Sequence, residues 1–74
     1  MQKWRDEDHL ALECLLRVGG DVSAVKIGEE MQATTMTAWL ALNRLVWRGV
    51  VEMGPLRAGL ATWRLHPNLN TEES

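Results

Sequence analysis

Two neighbouring polar side chains, Asn43 and Arg44, carry chemistry that could read the edge of a nucleic-acid base. A carboxamide can form two hydrogen bonds with adenine and a guanidinium group two with guanine, each pair worth about 1–3 kcal/mol of discrimination against the wrong base. A polar patch that only keeps a helix soluble would explain the same two residues equally well. Asn43 and Arg44 are therefore candidate DNA-binding residues whose use depends on the element that carries them.

Six further side chains could contact phosphate groups. Hydroxyl and cationic groups are the usual donors to phosphate oxygens, and each neutralised phosphate steepens the salt dependence of binding. The six candidates are Lys26, Thr35, Thr37, Arg48, Arg57 and Arg64. Arginines on a hairpin are also ordinary surface charges, and a threonine at this point of the chain can simply cap a helix.

Large apolar residues form a second pattern in the same segment. They recur at helical spacing with Asn43 between them, and they are offset from the stripe of Ala38, Leu42 and Leu45. The residues of this second stripe are Met36, Trp39, Leu40 and Trp47. Contiguous exposed apolar surface often marks a protein contact, and tryptophan is a favoured interface anchor. The stripe predicts a protein interface, unless Trp47 packs under a hairpin and the C-terminal tail covers Trp39.

The charge of the chain is unevenly distributed. The net charge is −2, which by itself argues against a nucleic-acid partner. Residues 22–67, however, carry five basic and three acidic side chains, whereas residues 1–21 carry three basic and five acidic ones. A local basic patch can matter more than the sum, so the charge leaves a weak DNA-binding surface open in the second half of the chain.

Three helices are predicted to position these residues. The first runs from about residue 7 to 18, with Asp6 as its N-cap and two glycines as its stop, and the second from about 24 to 31 with Ser23 as its N-cap. The third covers about 35–48. Thr34 or Thr35 should cap its start, and Gly49 should end it in a left-handed conformation.

A β-hairpin is predicted to follow the third helix. Residues 50–53 and 61–65 have strand character, and Arg57 lies at the tip of the loop of residues 55–59 between them. Val22 could add one short strand before the second helix. The chain is thus expected to be a single mainly α domain with a small β-hairpin, of α+β class, ordered over about residues 6–67 with a tail at 68–74.

The end of the third helix resembles that of a known family. The segment 43–52, Asn-Arg-Leu-Val-Trp-Arg-Gly-Val-Val-Glu, resembles the end of the recognition helix in bacterial and phage winged helix-turn-helix regulators, and 62–67 is similar to the second strand of their wing. The resemblance covers roughly residues 7–67. It implies that the third helix enters the major groove of double-stranded DNA, and that Arg57 on the wing contacts a phosphate or the minor groove. The apolar stripe departs from the serine, threonine, arginine and glutamine usual on such helices.

Other classes of function find little in the sequence. No motif arranges catalytic residues, and the two histidines lack a second ligand at metal spacing, so we expect neither an enzyme nor a metal or cofactor site. No apolar run is long enough for a bilayer, and one cysteine, Cys14, fits a reducing cytoplasm. The function expected from these observations is that of a small DNA-binding transcriptional regulator. The alternative is a protein-interaction module that uses the third helix toward a second copy or a larger protein.

Overall fold

The computed structural model describes residues 4–67. Three helices and three short strands follow one another in the order α1 (Asp6–Val18), β1 (Val22–Ser23), α2 (Ala24–Met31), α3 (Thr35–Trp47), β2 (Val51–Met53) and β3 (Thr62–Leu65). The mixed α and β composition predicted from the sequence is confirmed. The predicted tail at residues 68–74 falls outside the described residues.

The strands form one antiparallel sheet in the order β1-β3-β2. Val22 pairs with Trp63 on one side of β3, and Val51 pairs with Leu65 on the other. The short strand predicted at Val22 therefore exists, and it extends the hairpin to three strands. Both hairpin strands begin one residue later than predicted, at Val51 and Thr62.

Local side chains set most helix ends as predicted. The Ser23 hydroxyl accepts a hydrogen bond from the Lys26 N–H at the start of α2, and the Thr34 hydroxyl accepts one from the Thr37 N–H at the start of α3. These bonds satisfy N–H groups that have no partner inside the helix. After α3, Gly49 has φ +82°, a conformation that glycine adopts without strain. The helix itself ends at Trp47, one residue before the predicted end.

The predicted cap of α1 is wrong. The helix already begins at Asp6, and its N-cap is Arg5, which makes no capping bond through its side chain. The reason lies in the backbone: the Arg5 carbonyl accepts hydrogen bonds from the N–H groups of Asp8 and His9 at 3.0 and 3.2 Å. The first helical bonds thus end on Arg5, and Asp6 stands one position inside the first turn.

The core lies between the three helices and one face of the sheet. Its largest fully buried side chains include Leu15, Ile27, Leu42, Leu45 and Trp63. Among the tryptophans of the described residues, Trp63 is the one in the core; it projects from the central strand. Small residues let the helices approach one another in the remaining space, with Ala11, Ala38 and Ala41 fully buried.

Helical spacing in the sequence predicts that Leu10 and Val18 share the inner side of α1 with Ala11, Cys14 and Leu15. In the structure Leu10 and Val18 are exposed, whereas Asp8 is fully buried. Asp8 shares its side of the helix with Ala11 and Leu15, three and seven residues further on, because these spacings place residues on one helical face. A charged residue therefore occupies a core position, which requires a partner.

Candidate functional site

The outward side of α3 exposes all four residues of the predicted apolar stripe. We call Met36, Trp39, Leu40, Asn43 and Trp47 the outer face of α3; with about 100° per residue they span an arc of about 100°. Trp47 is 91% exposed, Met36 62%, and Trp39 and Leu40 44% each. The alternative that Trp47 packs under the hairpin is wrong, because the hairpin leaves this side chain almost fully exposed. The tail that would cover Trp39 lies outside the described residues. Asn43 is half-buried in the middle of the face.

An open groove of about 420 Å³ follows the outer face. Most of its wall is apolar, and its two cations, Arg44 and Arg48, stand along one edge. The residues that line it are Trp39, Leu40, Asn43, Arg44, Trp47 and Arg48. The structure thus brings aromatic, aliphatic, amide and guanidinium groups together along this groove, whereas the candidate hydroxyl groups of Thr35 and Thr37 do not line it.

Arg44 is occupied by an internal ion pair. Its Nε donates to Oδ1 of the fully buried Asp8 at 2.9 Å, and its Nη2 lies 3.9 Å from Oε1 of Glu7. The buried carboxylate is stabilised by this guanidinium group, so Arg44 ties α3 to α1. The sequence contained no sign of this contact, because Asp8 is one of three acidic residues in the first turn of α1, where acids are common for their favourable interaction with the helix dipole.

Arg48 has an aromatic partner instead of a carboxylate. Its guanidinium carbon lies 5.1 Å from the centre of the Trp4 ring, within the range of a cation–π contact. The Trp4 ring in turn lies 4.8 Å from the ring of His9. The N-terminal segment before α1 therefore packs beside the C-terminal end of α3, a contact that no sequence pattern indicated.

The two hairpin arginines converge on Asp21, in the turn after α1. Arg57 Nη2 donates to Asp21 Oδ2 at 3.1 Å, and Arg64 Nη1 lies 3.7 Å from Asp21 Oδ1. Arg64 Nε also donates to Glu52 Oε2 at 2.7 Å across the β2–β3 pair. The hydrogen bond and the charge of Glu52 raise the pKa of Arg64 above its usual value. Both hairpin arginines, two of the four cations predicted for phosphate contacts, are thus ion-paired within the chain.

Arg57 does not stand at the tip of the hairpin loop. Residues 57–60 form a tight turn in which Arg57 and Leu60 exchange two backbone hydrogen bonds of 3.0 and 2.9 Å. The tip is Ala58–Gly59, and both residues have positive φ, 52° and 77°, as in a type I′ turn. Arg57 points from the base of this turn to Asp21.

The remaining candidates lie on α2 and in the first turn of α3. Lys26 Nζ lies 3.4 Å from Glu30 Oε2, one turn along α2. The Thr34 hydroxyl donates to the Thr37 hydroxyl at 3.0 Å, and Thr35 is exposed. Lys26 and Arg57 also line a second groove with Asp21. The eight predicted DNA-binding residues therefore divide between α3 and the hairpin side.

Within residues 4–67, no three histidine, cysteine, aspartate or glutamate side chains are gathered so that they could hold a metal ion. In the same range, no helix has the length and apolar character needed to cross a membrane. Comparison with protein families, with curated proteins and with solved structures finds no match to this chain. The features that bear on function are therefore the α3 groove and the charges around it.

Proposed function

We propose that this chain is a protein-interaction module that uses a winged-helix scaffold to present the outer face of α3. The observation that carries the proposal is the exposure of Trp47, Met36, Trp39 and Leu40 along one side of one helix. Fully burying one side chain of this size contributes about 1.5–3 kcal/mol. Exposure of this apolar face to water is therefore unfavourable in free energy, and burial against a protein partner would remove that exposure.

The winged-helix assignment is part of the proposal. It is supported by the order of three helices and a hairpin, and by the position of the family-like segments. Residues 43–52 run from the second half of α3 through the turn into β2, and residues 62–67 begin with β3. The scaffold alone does not select a function, since one fold hosts many. The choice depends on what α3 presents.

The electrostatics favour protein over nucleic acid. Lys26, Arg57 and Arg64 each form an ion pair with a carboxylate, and the full chain has a net charge of −2. Freeing an exposed pair costs little, about 0–1 kcal/mol, but every freed arginine leaves a carboxylate that repels phosphate. Moving Arg44 away from Asp8 would in addition leave a buried charge without its partner.

Double-stranded DNA is the second candidate. One observation favours it: Asn43 lies on the outward side of α3 beside Arg44 and Arg48, where a helix in the major groove would present it. The transcriptional-regulator hypothesis therefore keeps a defined contact set, in which Thr35 and Arg57 would add contacts to phosphate.

Site-specific photocrosslinking in cells tests the proposal. A photoreactive phenylalanine analogue replaces Met36 in one variant and Leu56, which is 72% exposed on the hairpin loop, in the control. We expect protein adducts at position 36 and far fewer at position 56. Equal yields at the two positions, or no protein adduct at position 36, would contradict the proposed interface.

A duplex-binding titration tests the second candidate. Fluorescence anisotropy with labelled duplexes at low salt should show weak binding that does not change in Arg48→Ala/Arg57→Ala. Arg44 is left intact because its replacement would disturb the α1–α3 contact. Tight binding that falls steeply with salt and is lost in the double variant would replace the protein-interaction proposal with the DNA one.

A further inference from the structure

The spacing of the outer face suggests what its partner is. We infer that the outer face of α3 binds a second copy of the chain, with the two α3 helices antiparallel and crossing at Asn43. This inference rests on the proposed function and names its partner. Three observations support it: the spacing of the side chains along the face, the amide at its centre and the positions of the charged groups.

The two indole side chains of the outer face are placed symmetrically about Asn43. Trp39 lies four residues before it and Trp47 four residues after it, so each indole stands about 6 Å along the axis from the centre. A two-fold axis through Asn43 brings Trp39 of one copy beside Trp47 of its partner, twice. In an interface with two-fold symmetry a surface must be complementary to itself, and the equal spacing of the two indoles on either side of Asn43 meets that requirement for this pair.

The central amide is complementary to itself as well. Asn43 is half-buried between two indole groups, and closing an apolar partner over it would leave its polar atoms without hydrogen bonds, at a cost of about 1–3 kcal/mol. A carboxamide both donates and accepts. Asn43 of each copy can therefore satisfy the other at the axis, and this pair would fix the register of the two helices, as a buried asparagine does in coiled coils.

The charges on α3 permit two copies to meet. The helix has no acidic residue, and its one basic residue, Arg44, is turned toward Asp8 and Glu7 on α1. Arg48, just beyond the helix, lies over the Trp4 ring. Arg48 lies five residues after Asn43, so an antiparallel crossing there separates the two Arg48 residues by about 15 Å along the axis, further than the screening length of about 10 Å for exposed charges. Of the two arginines that line the groove, Arg44 already faces carboxylates, so a strongly acidic partner would find one counter-charge there, Arg48.

Sedimentation velocity on the purified chain over a range of concentrations tests the inference. We expect a monomer–dimer equilibrium, with the dissociation constant raised at least about tenfold by Trp39→Ala and by Trp47→Ala, as for aromatic anchors in other interfaces. Leu56→Ala, a change at an exposed apolar residue of the hairpin, should leave the constant unchanged. Far-UV circular dichroism verifies that each variant is folded.

A disulfide trap tests the two-fold axis itself. Under mild oxidation Asn43→Cys should give a covalent dimer in high yield, since the axis brings position 43 of the two copies together, and Leu56→Cys should not. The native Cys14 is fully buried and does not compete. A dimer that ignores both tryptophan variants and gives no disulfide at position 43 overturns the inference.

The outcomes separate the inference from the proposed function. A purified chain that stays monomeric at all concentrations, with adducts to a different protein at position 36 in cells, overturns the second copy and leaves the interaction module standing. A monomer without protein adducts at that position overturns both. Adducts that join two copies of this chain, together with a concentration-dependent dimer, support both.

Discussion

The two sides of α3 are both apolar, but the inner side is buried in the core and the outer face is exposed to solvent. On the inner side Ala38, Ala41, Leu42 and Leu45 are fully buried, whereas on the outer face Met36 and Trp47 are largely exposed. The inner side carries two alanines, which let α1 and α2 approach closely, and the outer face carries the bulkiest side chains. The comparison shows that size and the position of neighbouring elements, more than hydrophobicity, decide which side of a helix becomes core.

The largest loss of stability is expected from replacing Leu42, on the inner side of α3. Leu42→Ala should lower the free energy of unfolding by about 2–5 kcal/mol, because a fully buried leucine leaves a cavity and loses its transfer free energy. Urea denaturation followed by circular dichroism measures the change. A loss below about 1 kcal/mol would mean that the inner side is not the core side.

Arg44 lies at the border between the inner side and the outer face of α3. Its replacement should cause the second-largest loss of stability. Arg44→Ala removes the partner of the buried Asp8 carboxylate, a loss of about 3–5 kcal/mol for a fully buried pair. The Arg44 side chain is 32% exposed, so water can reach the vacated site, and we expect about 2–3 kcal/mol in the same denaturation experiment. The double variant Asp8→Leu/Arg44→Met should recover much of this loss. If Arg44→Ala were neutral, the ion pair would not secure α3 to α1.

Gly28, on α2, tests how closely α2 must approach the start of α3. A Cβ at this position would lie 3.1 Å from the Thr34 carbonyl oxygen and 3.3 Å from Thr35 Cα. Gly28→Ala gains about 1 kcal/mol of helix propensity, but backbone atoms must shift to admit the methyl group. We expect a net loss of about 1 kcal/mol. The control is Ala33→Gly, a change in the exposed connection between α2 and α3. If Gly28→Ala instead raised the free energy of unfolding, the backbone of this connection would be able to shift at little cost.

The outer face should give the smallest stability change. Trp47→Ser is expected to alter the free energy of unfolding by no more than about 0.5 kcal/mol, since an exposed side chain loses few contacts. The measurement is made at concentrations where the chain is monomeric, so that association does not contribute. A loss above about 1.5 kcal/mol would show that Trp47 supports the fold and would weaken its assignment to an interface.

Much of the fold could be predicted from local signals in the sequence. Ser23, Thr34 and Gly49 act at the helix ends through groups within three residues of themselves, and the short strand at Val22 has the length and position expected. The failures involve contacts distant in sequence. Asp8 looked like an ordinary first-turn acid because its partner, Arg44, is 36 residues away.

The candidate site was predictable in part, for the same reason. Helical spacing alone placed Met36, Trp39, Leu40 and Trp47 on one outward side, and these residues are exposed there. The state of the basic residues was not predictable, because Asp21 and Glu52 reach Arg57 and Arg64 only after the sheet has formed. Sequence identifies which residues are able to contact a partner, while folding decides which of their charges are already neutralised.

The unequal burial of the indoles gives the molecule two separate optical signals. Iodide can collide with Trp39 and Trp47 in the native state but cannot reach Trp63, so the quenchable part of the emission reports whether the α3 groove is covered. The emission maximum of Trp63 shifts to longer wavelength only when the sheet and helices come apart. Docking and unfolding can therefore be followed in one cuvette without any added dye.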